Sequence, residues 1–325
     1  MKYRKLGTSD IEVSALSLGT WAFGGDSWWG PQQDRDSIEV LEQAIHRGVR
    51  MIDTAPVYGR GRSERIIGSF IKKRKLREKV LIATKLGLSW EGPNILHNLT
   101  KLRMLQELDE SRLRLATDYF DLYQVHWPDP DIPIGETAEV MHSLYQKGII
   151  KTVGVSNYSV SQMQEFMKYC PLHSLQPEYS MFNRAIEGSI IEFCLNDNIA
   201  IISYAPLYSG ILTGKFFLDG VSVPDDVNRK MKKKDLTEPR FSINKDTLRK
   251  LKEIAAGYDK NLAQLAINWN FSQPGITSAI VGTRKLSQLE DNLGSSGWEI
   301  SADDMMSIGT ALDERLLRIK EIKEI

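Results

Sequence analysis

Asp53, Tyr58, Lys85 and His126 can do acid–base chemistry together if the chain folds so as to gather them. A free tyrosine titrates near ~10, too high to give up a proton readily at neutral pH. A neighbouring ammonium favours the phenolate and lowers that value. Lys85 can supply the ammonium, Asp53 can hold it charged and oriented, and His126 can hydrogen-bond a substrate carbonyl or relay the proton. A tyrosine tuned in this way contributes on the order of 10² to 10⁴ in rate as a general acid. The rest must come from a bound reactant and preorganised electrostatics. Each residue also has a plainer role. Asp53 can tie down its own loop, Tyr58 can pack on a neighbour, and His126 can be a satisfied polar residue, as expected for His46, His97, His142 and His173. Lys85 can be a structural ion-pair partner or the Schiff-base nucleophile of an aldolase-type barrel. No second His or Cys stands at ligand spacing around His126, so no metal is expected.

The four residues need elements to position them, and the pattern supplies strands. A short apolar run, residues 49–52, breaks off at Asp53, and a Pro-bearing loop presents Tyr58 beside Gly59. Ser63 is placed to cap the next helix, whose apolar face is Ile66, Ile67, Phe70 and Ile71. Upstream, residues 3–14 read as a hairpin, and Asp36 with Glu39 has the capping-box spacing of a helix that runs to Gly48. The strand–loop–helix rhythm then repeats. Strands centred on Leu16, Met51, Leu81, Leu122, Val153, Leu175, Ile201 and Ile280 make eight. Eight short apolar strands alternating with helices predict a closed (β/α)₈ TIM barrel of α/β class, with an N-terminal β-hairpin and an additional C-terminal helix after Ser301. No G-x-G-x-x-G opens a helix after a strand, which argues against a doubly wound sheet. The barrel's C-terminal strand ends converge on one mouth. They read Gly19-Thr20-Trp21, Asp53 with Tyr58, Lys85, His126-Trp127, Ser156-Asn157, Gln176, Tyr204 and Gly282-Thr283-Arg284.

The 325 residues are expected to form one domain, 1–325, with a long charged insertion at 215–242 that is either disordered or a lid. With 42 basic and 42 acidic residues, no net field recruits nucleic acid or an anionic membrane. The start has no apolar core of a secretory signal, and no window has the length of a membrane span. Two cysteines, Cys170 and Cys194, do not make a disulfide framework, so a cytoplasmic protein is expected.

These blocks, in this order, resemble the aldo-keto reductases over nearly the whole length. The match includes Gly19-Thr20-Trp21, Asp53-Thr54-Ala55 through Tyr58-Gly59, Ser63-Glu64, Thr84-Lys85 and the run 117–123 leading to His126. It continues through Gly154-Val155-Ser156-Asn157, Gln176-Pro177-Glu178-Tyr179, Tyr204-Ala205-Pro206-Leu207 and residues 210–215. The bacterial general-stress and inositol-operon-associated reductases are the nearest branch. The resemblance implies hydride transfer between a nicotinamide cofactor and a small-molecule carbonyl or alcohol, with Tyr58 as proton donor and Asp53, Lys85 and His126 completing a tetrad. It also implies that Ser156, Asn157 and Gln176 bind the nicotinamide carboxamide while Tyr204 stacks on its ring. The segment with Leu207, Ser209, Gly210 and Leu212 would wrap the pyrophosphate, with Lys215 nearby, and Gly19, Thr20 and Trp21 would line the cofactor groove. Gly282, Thr283, Arg284, Gln288, Asp291 and Asn292 align with the adenosine-phosphate site. Arg284 can fork onto a 2′-phosphate, so NADP(H) is expected, with NAD(H) possible. Gln288 stands where many members carry an arginine, and Gly282 where many carry a lysine. Trp21, Trp90 and Trp127, with Trp28 and Trp29, fall on loops that open at the mouth. Aromatic walls suit apolar or aromatic aldehydes and also stack on sugar faces. A cofactor-binding regulatory module with little turnover is the alternative.

Overall fold

In a computed structural model, which describes residues 1–92 and 94–322, the chain runs as follows. The strands and helices in order are β1 (Tyr3–Lys5), β2 (Glu12–Ser14), β3 (Leu16–Gly19), α1 (Asp34–His46), β4 (Met51–Asp53), α2 (Arg62–Arg74), β5 (Leu81–Leu86), β6 (Leu88–Glu91), β7 (Asn94–His97) and α3 (Lys101–Leu115). Then come β8 (Phe120–Val125), α4 (Ile134–Gln146), β9 (Ile150–Ser156), α5 (Val160–Met167), β10 (Ser174–Gln176), α6 (Ser189–Asn196) and β11 (Ala200–Tyr204). The last part holds α7 (Lys215–Leu218), α8 (Val227–Met231), α9 (Arg240–Ala256), α10 (Leu262–Ser272), β12 (Ile276–Gly282), α11 (Leu286–Leu293) and α12 (Ala302–Glu321). Eight parallel strands close into a barrel in the order β3-β4-β5-β8-β9-β10-β11-β12 and back to β3.

Two apolar layers hold it. The outer one joins strands to helices through residues such as Leu18, Ile52, Ile82, Tyr123, Val153 and Ile201. The inner one fills the barrel's N-terminal end, and the leading hairpin completes it: Leu6 and Val13 pack with Met51, Ala83, Leu122, Ala200, Ile202 and Ile280. The hairpin is therefore a plug. Where α2 meets α3, no side chain fits between them, since a Cβ on Gly68 would stand 2.2 Å from the Arg114 carbonyl oxygen.

Several local expectations need correction. α1 begins at Asp34 with Gln33 at its N-cap and no capping side chain, so Asp36 and Glu39 form no capping box. Ser63 lies inside α2, whose N-cap is Gly61. Its hydroxyl instead donates to the Thr20 carbonyl at 3.1 Å, a tie that anchors the helix to the end of β3. Capping boxes occur at α5, with Ser159 and Gln162, and at α10, with Asn261 and Gln264. Residues 215–242 are folded, carrying α7, α8 and the start of α9. The β6–β7 hairpin was not anticipated at all; it rises from the end of β5 and bears Trp90, Ile95 and His97.

Candidate active site

Asp53 ends β4 and Lys85 is the penultimate residue of β5, so both side chains are set by strand geometry at the barrel mouth. Both are buried, and Lys85 Nζ donates to Asp53 Oδ1 at 2.7 Å and to the Thr54 carbonyl at 3.0 Å. The other Asp53 oxygen accepts from Gln176 Nε2 at 2.9 Å and from Gln124 Nε2 at 3.3 Å. Gln124 was missed in the sequence; its signal is its position beside Lys85 in the register of β5 and β8. Tyr58 comes from the loop after β4, and its hydroxyl lies 3.4 Å from Lys85 Nζ. His126 follows β8, with its ring edge-on to Tyr58 at 6.0 Å between centroids. The four candidate residues are thus brought together.

Burial, then the Asp53 carboxylate and the Tyr204 phenol, pushes the Tyr58 phenol well above its ordinary value. The expectation that Lys85 lowers it is overturned. The ammonium is already neutralised by a carboxylate at 2.7 Å, so the phenol meets an ion pair rather than a bare cation. Burial lowers Lys85, with Asp53 opposing. Burial, then the charges of Lys85 and His97, holds His126 well below the usual histidine range, so its ring is neutral. The site thus sets a phenol that holds its proton tightly and a neutral imidazole beside the Lys85–Asp53 ion pair.

On one side of this centre Ser156, Asn157, Gln176 and Tyr204 form a polar patch. Asn157 adopts a left-handed φ of 62°, and its Nδ2 donates to the His126 carbonyl at 3.1 Å and to Ser156 Oγ at 3.0 Å. Its Oδ1 accepts from the Tyr204 hydroxyl at 3.1 Å. Gln176 is turned to Asp53 and Gln124. The next stretch has left-handed φ at Ala205, Tyr208, Ser209 and Gly210. The N–H groups of Tyr208, Gly210 and Leu212 donate to the carbonyls of Ala205 and Leu207, so this tight loop holds its own shape. The Leu212 side chain is buried.

Past this loop stand three cations. Lys215 is lowered by burial and then by the Arg229 charge, while Arg229 is lowered by burial and then, against Asp226, by Arg284. Arg229 lies over the Trp29 ring at 4.7 Å and donates to Asp226 Oδ2 at 2.8 Å, leaving its buried Nε without a hydrogen-bond partner among the described residues. Cations held close and partly buried leave a charge that a phosphate relieves. The residues therefore fit a dinucleotide phosphate group. Arg229 was missed because α8 is too short to show a helical period.

The adenosine-phosphate candidates are split. Arg284 donates to Gln32 Oε1 at 3.0 Å and to the Trp29 carbonyl at 2.8 Å, with a further bond to the Pro31 carbonyl, so its fork is partly engaged by the loop before α1. Thr283 is buried, with its hydroxyl accepting from Asn292 Nδ2 at 3.1 Å. Asp291 accepts from Asn261 at 2.6 Å, and Gln288 accepts the Arg284 N–H at 3.0 Å. Gly282 is exposed. Gly19 pairs with Asp53 and Gly282, and Thr20 is buried with its hydroxyl donating to the Asp53 carbonyl at 2.8 Å. Both are scaffold.

Trp21 stacks on Tyr58 with 5.7 Å between centroids and touches Trp28 and Trp29 at 5.5 and 5.6 Å. Trp127 is exposed beside His126, and Trp90 sits on β6 opposite Ile95.

The profile of the Aldo/keto reductase family matches residues 15–313. Aldo-keto reductase YhdN of Bacillus subtilis is 39% identical over 317 residues, covering 97% of this chain and 95% of its own. An NADH-specific methylglyoxal reductase of Escherichia coli is 32% identical, covering 94% and 96%. Among solved structures, glycerol dehydrogenase AKR11B4 of Gluconobacter oxydans superposes with a TM-score of 0.86 at 32% identity, covering 97% and 95%. With the barrel and the gathered tetrad already in view, this chain belongs to the aldo/keto reductase family of NAD(P)H-dependent oxidoreductases.

Proposed function

We propose that the protein reduces small aldehydes or ketones to alcohols, reversibly, with Tyr58 as the proton donor and NADP(H) as the preferred cofactor. The observation that carries the reading is the Tyr58 hydroxyl 3.4 Å from a lysine locked by Asp53. The chemistry a nicotinamide supplies when bound is hydride donation to the carbonyl carbon, or acceptance from the alcohol carbon. As charge grows on the carbonyl oxygen, the Tyr58 phenol gives up its proton to it. The phenolate left behind gains the Lys85 ammonium as neighbour, a stabilisation that matters most in the transition state. Asp53 keeps that ammonium charged and aimed. The neutral His126 ring hydrogen-bonds the carbonyl and orients it.

Ser156, Asn157, Gln176 and Tyr204 would hold the nicotinamide end. The loop from Leu207 to Gly210 with Lys215, Arg229 and Arg284 would hold the phosphates. Arg284, bonded to Gln32 and to backbone carbonyls, and Arg229, paired with Asp226 but with its Nε unused, favour the extra phosphate of NADP(H). The Escherichia coli relative is named for NADH specificity, so the preference needs direct measurement. The relatives named for methylglyoxal and glycerol direct the substrate panel to small aldehydes and polyols, and the tryptophan wall adds aromatic aldehydes. The free, buried Cys170 and Cys194 suit a reducing cytoplasm.

A Schiff-base role for Lys85 is disfavoured because the amine is fully buried and charged against Asp53. The test is a carbonyl panel with NADPH, comparing wild type with Tyr58→Phe. Tyr58→Phe is expected to lose on the order of 10²-fold or more in kcat, with little change in cofactor affinity. Full activity in that variant ends the proposal.

A further inference from the structure

One buried acid outside the tetrad is wired to it. The peptide unit between Leu86 and Gly87 starts one residue after Lys85. Its carbonyl accepts the backbone N–H of His126 at 2.9 Å. Its N–H donates to Glu107 Oε2 at 2.9 Å. The Gly87 carbonyl then accepts the Asn98 N–H at 3.0 Å, closing the base of the β6–β7 hairpin. Gly87 itself has φ 97°, and Leu99 packs so near that a Cβ would meet its Cδ2 at 2.5 Å. A single turn therefore carries both His126 and the hairpin, and the side chain holding it is Glu107 from α3, 1% exposed.

We propose that Glu107 is a positioning residue for carbonyl reduction: through the Leu86–Gly87 peptide it sets His126 and the hairpin that bears Trp90, and its ionisation switches that hold between tight and loose. This rests on the reading of Tyr58 and His126 given above. A carboxylate accepts an N–H roughly twice as strongly as a neutral acceptor does. Protonation thus weakens the clamp without removing it.

The surroundings allow the proton to come and go. On α3, Arg103 stands 3.9 Å from Glu107 Oε1, and Glu110 lies 3.4 Å from Arg103. Arg114 near the end of α3 pairs with Glu64 of α2 at 2.6 Å. From β8 comes the buried Tyr123 hydroxyl. Among the described residues, Glu107 Oε1, Arg103 Nε and the Tyr123 hydroxyl have no hydrogen-bond partner, so a proton on Oε1 displaces no existing bond there. Burial pushes Glu107 up to about 7, with the Gly87 N–H and Arg103 pulling it back. His126, held well below the usual range, does not titrate in the same window.

The experiment is the single-turnover rate of NADPH oxidation by a fixed aldehyde, measured across pH 6–8 (about one unit either side of the inflection) on the whole protein. Wild type is expected to lose about threefold or more on the acid side of one inflection near neutrality. Glu107→Gln keeps the acceptor but not the charge, so it should sit at the acid-side rate throughout. Arg103→Gln removes a cation that favours the carboxylate, so the inflection should move to higher pH. A flat wild-type profile, an inflection that survives in Glu107→Gln, or one that stays in place in Arg103→Gln overturns the proposal. If Glu107→Gln does not fold, the Arg103→Gln shift decides alone. Full activity in Tyr58→Phe would instead overturn the reading of the site, and that result is distinct from the position of an inflection.

Discussion

At the scale of single residues, the centre stores its proton on Tyr58 rather than giving it away at rest. Because burial raises the phenol above its usual ~10, reduction should not fall off between neutral pH and about 10 for want of a protonated donor. Alcohol oxidation needs the phenolate as base, so its kcat/KM should climb about tenfold per pH unit over the alkaline range below the tyrosine's pKa. Initial rates in both directions against pH check this; an oxidation rate independent of pH would sink it. The tetrad was legible in the sequence because strand ends advertise themselves: Asp53, Lys85 and His126 each close or follow an apolar run. The direction of the Tyr58 shift was not legible. It depends on how completely Asp53 occupies the lysine and how little water reaches the phenol, and neither is written in residue spacing.

Secondary-structure elements decide where the cofactor's charges are met. Arg229 reaches the 207–210 loop because α8 docks on the loop before α1, with Asn228 Nδ2 on the Trp28 carbonyl at 2.7 Å and the Val227 N–H on the Ser27 carbonyl at 3.1 Å. Arg229→Leu should lower kcat/KM for NADPH by about tenfold or more and for NADH by less, since a charged hydrogen bond to phosphate is worth ~1.5–3 kcal/mol. Arg284→Ala should show the same asymmetry. Equal losses for both cofactors would mean that neither arginine reads the extra phosphate. A different element pair tests packing. Gly68→Ala forces a methyl against the Arg114 backbone, which cannot swing aside, and should cost ~1–3 kcal/mol, read as a lower thermal midpoint. Long, strongly patterned elements could be read directly; β8, β9 and β11 lie where their apolar runs put them. The β6–β7 hairpin could not, because each strand has only four residues and shows no long apolar alternation. The insertion hid α8 for a similar reason: a five-residue helix completes little more than one turn.

For the whole molecule, the plug formed by Leu6 and Val13 makes the barrel a vessel with one doorway. A charge placed in that plug, Leu6→Asp, should destabilise the fold by several kcal/mol, about the cost of burying an unpaired carboxylate, and denaturant melts would show it. The same blind end governs traffic. Both reactants must enter past the same rim, where Asn157 bonds both the Tyr204 hydroxyl and the His126 carbonyl. A nucleotide laid across that rim would narrow it for the carbonyl, so the nucleotide is expected to bind first and leave last. Product-inhibition kinetics should accordingly follow a compulsory sequence, with the oxidised nucleotide competing against its reduced form alone.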